Sequence, residues 1–162
     1  MALLGNIIWF VFGGWLISLY YLIGSIILFP LLPFLFPMVR YTAFPFGRAP
    51  VRRAAIVEWK KYKGMSENED GEIEKRLTSG FLKFIANFVW IILFGWVLAL
   101  MHLISGLMNL LLCFLIITTP ICLPNVMAHF KLIPVAFRPF GIKIVPKSLA
   151  DEINHNAHAN NL

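Results

Sequence analysis

Residues 87–106 read NFVWIILFGWVLALMHLISG, and residues 6–24 read NIIWFVFGGWLISLYYLIG. Aligned in one register, they bring Asn6 onto Asn87, Trp9 onto Trp90, and Gly14–Trp15 onto Gly95–Trp96. Leu19, Leu22 and Ile23 fall on Leu100, Leu103 and Ile104. Apolar residues coincide easily by chance. Two tryptophans, an asparagine and a glycine in a single register do not. Each stretch later reaches a Pro-Phe-Gly, at Pro45-Phe46-Gly47 and at Pro139-Phe140-Gly141, which with Arg or Lys beside it is expected to be an interfacial turn that re-aims the chain along the membrane. The pattern is that of an internal duplication, which membrane proteins carry as parallel or inverted repeats.

Charge placement around the two stretches sets the fold class. Residues 1–39 contain no Asp, Glu, Lys or Arg, and neither do residues 84–130. A run of about 18 apolar residues already suggests a transmembrane helix. The whole chain is 59% hydrophobic with a mean hydropathy of +0.78, well above the roughly 45–50% apolar share of soluble domains. The expected fold is an all-α membrane protein with two repeated transmembrane helical units, helical hairpins, joined by a polar loop of basic and acidic character. Five blocks follow: 1–39, first transmembrane repeat; 40–83, polar loop; 84–130, second transmembrane repeat; 131–147, basic interfacial segment; 148–162, polar disordered tail. The N-terminal run has no Lys or Arg ahead of it and is too long for the apolar core of a signal peptide, so the segment is expected to be retained.

Basic residues follow both apolar runs: Arg40 to Lys63 after the first, Lys131, Arg138, Lys143 and Lys147 after the second. The positive-inside rule then places both segments in the cytoplasm, so each repeat crosses an even number of times and the repeat is parallel. A single 47-residue helix would measure about 70 Å, twice the hydrocarbon core, so two shorter helices fit better. Turns are expected near Gly24–Ser25 and Ser105–Gly106. Pro30, Pro33 and Pro37, like Pro120 and Pro124, imply kinked or re-entrant segments after them. A second possibility stays open at this stage. In one continuous helix, Asn87, Gly95, His102, Ser105, Gly106, Asn109 and Cys113 share one face.

The chemistry is sparse. There is no GxSxG, HExxH or P-loop motif, and all eight Asp/Glu lie in the loop or the tail. No catalytic, cofactor or metal residues are expected, and the chain does not read as an enzyme or a carboxylate-driven transporter. His155 and His158 are a poor metal site without a further ligand. Cys113 and Cys122 read as packing residues. His102 is an ionisable group well inside an apolar run, where such groups often serve a pathway. It heads the candidate pore-lining set of His102, Asn109, Ser105, Asn87 and Asn6, with Asn6 and Asn87 alternatively capping their helices. Arg48, Arg52, Arg53, Lys60 and Lys61 form a second set, suited to anionic lipid headgroups or a membrane partner. Ala54–Tyr62 is a candidate surface helix with Trp59 and Tyr62 at headgroup level. Residues 64–74, GMSENEDGEIE, read as a solvated linker. The formal charge of +6 is explained by topology and lipid, with no nucleic acid expected as a partner.

FGWVLALMHLISG at 94–106 and AHFKLIPVAFRPFG at 128–141 closely resemble the YccF family of bacterial inner membrane proteins. Family members share an FGWW-type segment, a Met-His in the helix and an xNFK-type segment leading to a PxG; here His129-Phe130-Lys131 holds His129 at the Asn position. The resemblance extends over most of residues 5–147. It implies a multi-pass bacterial inner (plasma) membrane protein and carries no catalytic residues. The function expected from the whole sequence is a homo-oligomeric channel lined by the polar set. The alternative is a non-conducting accessory or scaffold protein that binds anionic lipid or a membrane partner through the basic set.

Overall fold

The computed structural model describes residues 2–65 and 80–159, with side chains described through Asn156. The linker expected at 64–74 therefore lies almost wholly outside the described residues. Helix α1 (Ala2–Trp9) passes through a kink at Phe12–Gly13 into α2 (Trp15–Ile27). A 3₁₀ turn at Phe29–Leu31 reverses the chain into α3 (Leu32–Ala43). Strand β1 (Arg48–Arg52) and helix α4 (Arg53–Tyr62) follow. The same order of elements then returns. Helix α5 (Gly80–Trp90) leads through a π-type turn at Ile91–Gly95 into α6 (Trp96–Leu112). A 3₁₀ turn at Ile116–Thr118 reverses the chain into α7 (Thr119–Phe137), followed by β2 (Ile142–Pro146) and α8 (Lys147–Ala159).

Both alternatives for the second apolar run are realised together. Helix α6 continues unbroken through Ser105 and Gly106 to Leu112, so the turn expected there is displaced by several residues. Gly106 is used for close approach: a Cβ on it would come within 3.3 Å of the His129 Cβ on α7. The turn expected at Gly24–Ser25 likewise falls at Leu28, after α2 ends. Among the described residues, three helical stretches are long and apolar enough to cross a membrane: Ala2–Ile27, Gly80–Leu112 and Ile116–Phe137. Helix α3 is the exception, because at 12 residues it spans only about 18 Å against a hydrocarbon core of about 30 Å. Pro30 and Pro33 sit in the turn and at the first positions of α3, where a missing N–H costs nothing, and they delay its start.

The two reversing turns are apolar and uncharged, with Phe114, Ile116 and Ile117 exposed at the second. The opposite end of the helices is capped. Strands β1 and β2 pair antiparallel with Pro50 opposite Ile144 at the centre and Arg48 opposite Pro146, Arg52 opposite Ile142 at the ends. Two backbone bonds flank this pairing reciprocally: Arg53 N–H to the Gly141 carbonyl at 3.0 Å, and Lys147 N–H to the Gly47 carbonyl at 3.1 Å. Each Pro-Phe-Gly turn is made by a glycine at positive φ, 89° for Gly47 and 95° for Gly141, which other residues adopt only at a cost.

One face of the sheet carries Val51 and Val145, which bury against Ile56 of α4 and Ala150 and Ile153 of α8. This corrects two expectations. The 148–162 tail is not disordered through most of its length: Leu149, Ala150 and Ile153 give it an apolar side, and the sheet brings α4 alongside to cover it. His155 is exposed on that helix, and the side chain of His158 lies outside the described ones. Nor does α4 rest its aromatic side on lipid, because Trp59 packs into this small core while Tyr62 is exposed. The block expected as an interfacial segment at 131–147 is in fact the last turns of α7 followed by β2.

Lys63 and Glu152 close α4 onto α8 at 2.9 Å. Their hydrogen bond holds the Glu152 carboxyl below the ordinary carboxylate range and raises the Lys63 ammonium above its usual value. The attraction is therefore fully present between the two ordinary values and is lost as the pH falls through the depressed carboxyl value. A spin label at Asn154, in a Cys113→Ser background, is expected to stay immobilised from about pH 6 to 9 and to gain a mobile component below about pH 4. Ile153→Ala removes buried apolar volume from the same core and is expected to cost about 2–5 kcal/mol, read as a lower melting temperature of α8 docking by the same label.

Candidate functional site

The capped end of the helices is organised by two matching sets of side chains. The kink at Phe12–Gly13 in the first half and the π-type turn at Ile91–Gly95 in the second each set a glycine against the indole five residues before it, Gly14 against Trp9 and Gly95 against Trp90. A Cβ at Gly14 would run into the Trp9 indole, and one at Gly95 would meet the Trp90 ring at 3.1 Å and the Ala136 carbonyl oxygen at 3.1 Å. The glycine thus makes room for the indole to lie flat against its own helix and point its N–H at the returning one. Trp9 Nε1 donates to the Thr42 carbonyl at 2.7 Å, and Trp90 Nε1 to the Ala136 carbonyl at 2.8 Å. Both acceptors are in the last turn of their helices, where carbonyls have no intrahelical partner.

The asparagines work beside the tryptophans. Asn6 Oδ1 accepts the Phe46 N–H at 2.9 Å while its Nδ2 donates to the Phe46 carbonyl at 3.1 Å. Asn87 holds Phe140 in the same two-point manner, at 3.2 and 3.1 Å, and also donates to the Lys83 carbonyl at 2.9 Å. Neither asparagine is an N-cap, because both lie inside helices α1 and α5. They fasten the backbone of the Pro-Phe-Gly turns, where the chain leaves the helices for the sheet.

The polar face of α6 meets α7. His102 is fully buried, with its Nδ1 3.1 Å from the Nδ1 of buried His129, so one imidazole donates and the other accepts. His129 also lies against the Trp9 ring at a centroid distance of 4.2 Å. Toward the reversing turn, Asn125 of α7 reaches Asn109 at 3.4 Å, and Asn109 itself donates to the Ser105 carbonyl at 2.9 Å. At the last rung the Cys113 thiol lies beside that of Cys122. His102–His129, Asn109–Asn125 and Cys113–Cys122 form one seam down the α6–α7 hairpin. The sequence showed the α6 side of this seam; its other side, Cys122, Asn125 and His129, was missed as a set although its i, i+3, i+7 spacing repeats one helix face. The His102 Nε2 is buried without a hydrogen-bond partner among the described residues.

The basic set divides by layer. Arg48 and Arg52 are exposed on β1, Arg53 is half-buried at the start of α4, and Lys60 and Lys61 lie toward the end of α4, with Lys61 exposed. No cluster of three or more His, Cys, Asp or Glu capable of holding a metal occurs among the described residues.

Long apolar helices with their polar groups turned inward, and apolar side chains such as Leu3, Phe81, Trp96 and Ile104 turned outward, define an integral membrane protein. Residues 85–142 match the model of the YccF family, an inner membrane component domain. The matched range begins in α5, takes in α6 and α7, and ends at the first residue of β2, so the resemblance read from 94–106 and 128–141 holds there. No curated protein and no solved structure matches the chain.

Trp90→Phe keeps the ring and removes the donor, leaving the Ala136 carbonyl unpaired in an apolar setting. The expected cost is about 1–3 kcal/mol, visible as a lower unfolding temperature in detergent. Trp96→Phe, at an exposed indole bonded only to its own helix, is the control and is expected to change little.

Proposed function

We propose that this protein is a non-catalytic, non-conducting scaffold of the bacterial inner membrane, built from two repeated helical hairpins that hold the sheet and α4/α8 layers at the cytoplasmic surface. The observation that carries this is the inward placement of the polar set. His102 is buried against His129, Asn109 is engaged by Asn125, and Asn6 and Asn87 hold the turns. A lining for an ion path needs such groups open to an axis. The repeat is supported by the recurrence of the Trp–carbonyl bond, the two-point asparagine contact and the reciprocal strand pairing. Cytoplasmic placement of the cap follows from charge. Arg40, Arg138, Lys143 and Lys147 gather with Arg48 and Arg52 at the capped end, and the reversing turns carry no charge. In this arrangement the second hairpin crosses the bilayer, with an outgoing leg of about 50 Å (Gly80–Leu112) and a returning leg of about 33 Å (Ile116–Phe137), and the short α3 makes the first hairpin re-entrant.

A homo-oligomeric channel is the second reading, favoured by one observation: Ser105 and Asn109 are only half-buried, which leaves part of the seam's edge for another copy. Mass determination in nanodiscs followed by bilayer recording separates the two. The scaffold predicts silent bilayers at every oligomeric state. Discrete currents that change with His102→Ala would replace it with the channel. Placement of the cap is checked separately by C-terminal reporters: a fluorescent protein is expected to be active there and alkaline phosphatase inactive.

A further inference from the structure

The two faces of the β1–β2 sheet look in opposite directions, and strand alternation assigns each residue to one of them. Ala49, Val51 and Val145 face α4 and α8. Ile142 and Ile144 face the helix ends: both pack against the core that contains Trp90 and Phe140, and Ile144 also meets the group of Trp9, Tyr41 and Leu132. The register places Arg48 opposite Pro146 and Arg52 opposite Ile142, so both arginines belong to the face turned toward the membrane helices. They stand at the two ends of the strand, beyond the central Pro50–Ile144 pair that sits over the bundle, and both are exposed. Four residue steps along the strand separate them by about 13 Å.

The three acidic residues among the described ones, Glu58, Asp151 and Glu152, are all on α4 and α8, in the layer on the other side of the sheet. No described carboxylate pairs with either arginine. An exposed arginine on the membrane side of a cap, beside helices that end at the bilayer surface, lies at the level of lipid phosphates. The planar guanidinium suits a phosphate through two parallel hydrogen bonds while its stem lies along apolar surface.

We propose that Arg48 and Arg52 bind the phosphates of anionic lipids in the leaflet beneath the cap. This rests on the scaffold's placement of the cap at the headgroup surface. It assigns lipid contact to two members of the basic set and withholds it from Lys61, which has the same charge but lies in the outer layer. Recognition is of the lipid phosphate in the bilayer rather than of a soluble anion or a protein.

The test uses the full chain in nanodiscs of phosphatidylglycerol and phosphatidylcholine, with the lipid retained by the protein counted by native mass spectrometry. The wild type is expected to enrich phosphatidylglycerol over its share of the disc. Arg48→Gln and Arg52→Gln are each expected to lower that enrichment about fivefold, and Lys61→Gln to leave it unchanged. Enrichment retained in the double arginine variant, or lost equally in Lys61→Gln, overturns the assignment. Inorganic phosphate added at millimolar concentration is expected not to compete; displacement by it would overturn the bilayer source. The cap's placement is checked independently. Labels at Pro146→Cys and Lys61→Cys, in a Cys113→Ser background, are exposed to lipids carrying a paramagnetic headgroup. Stronger broadening at position 146 supports the placement, and equal broadening at both sites removes the surface on which the assignment rests.

Discussion

The structure depends on a bond between an indole N–H and a carbonyl in the last turn of a returning helix. In hydrocarbon an unpaired backbone group costs several kcal/mol, so a helix that ends near the membrane needs a donor for its terminal carbonyls. Trp90 supplies it to Ala136 across 46 positions of sequence, and Trp9 to Thr42 across 33. The glycine five residues on, past a kink in the first half and a π-type turn in the second, lets the ring lie close enough to reach. Asn87 and Asn6 then hold the next turn by both backbone atoms of Phe140 and Phe46. Legs, turns and cap are positioned from these few atoms.

The halves pack through the same tryptophan. Trp90 stacks on Tyr21 at 5.5 Å, and Gly24 of α2 lies so close to Trp90 and Phe94 that a Cβ there would stand 3.1–3.2 Å from their rings. His129 meets Trp9 from the other half. The polar seam of α6–α7 therefore ends in an aromatic contact between halves. Apart from the His102 Nε2, its side chains find hydrogen-bond partners within the chain, as polar groups in an apolar solvent tend to.

Much of this was legible in the residues, and the illegible remainder has a common cause. Asn6, Trp9, Gly14 and their counterparts stood out as a register. Their partners did not, because the acceptors are backbone atoms, which every residue has. The face formed by His102, Ser105 and Asn109 was visible at helical spacing, but a helical wheel does not say whether it meets an axis, a lipid or another helix. Leu149, Ala150 and Ile153 were too few among polar neighbours to announce a helix. They form a core only because β1 and β2 bring α4 beside them.

The sequence by itself determined that the helices are membrane helices and that the chain turns at Gly47 and Gly141. Both are local properties: a run without charges has no favourable place in water over its whole length, and a positive φ is open to glycine at little cost. Only the tertiary structure decided that His102 faces His129, that the tail is a helix of the cap, and that Arg48 and Arg52 share a face while Lys61 does not. Those outcomes depend on which distant segments pair, and on strand register, where a shift of one residue exchanges the two faces.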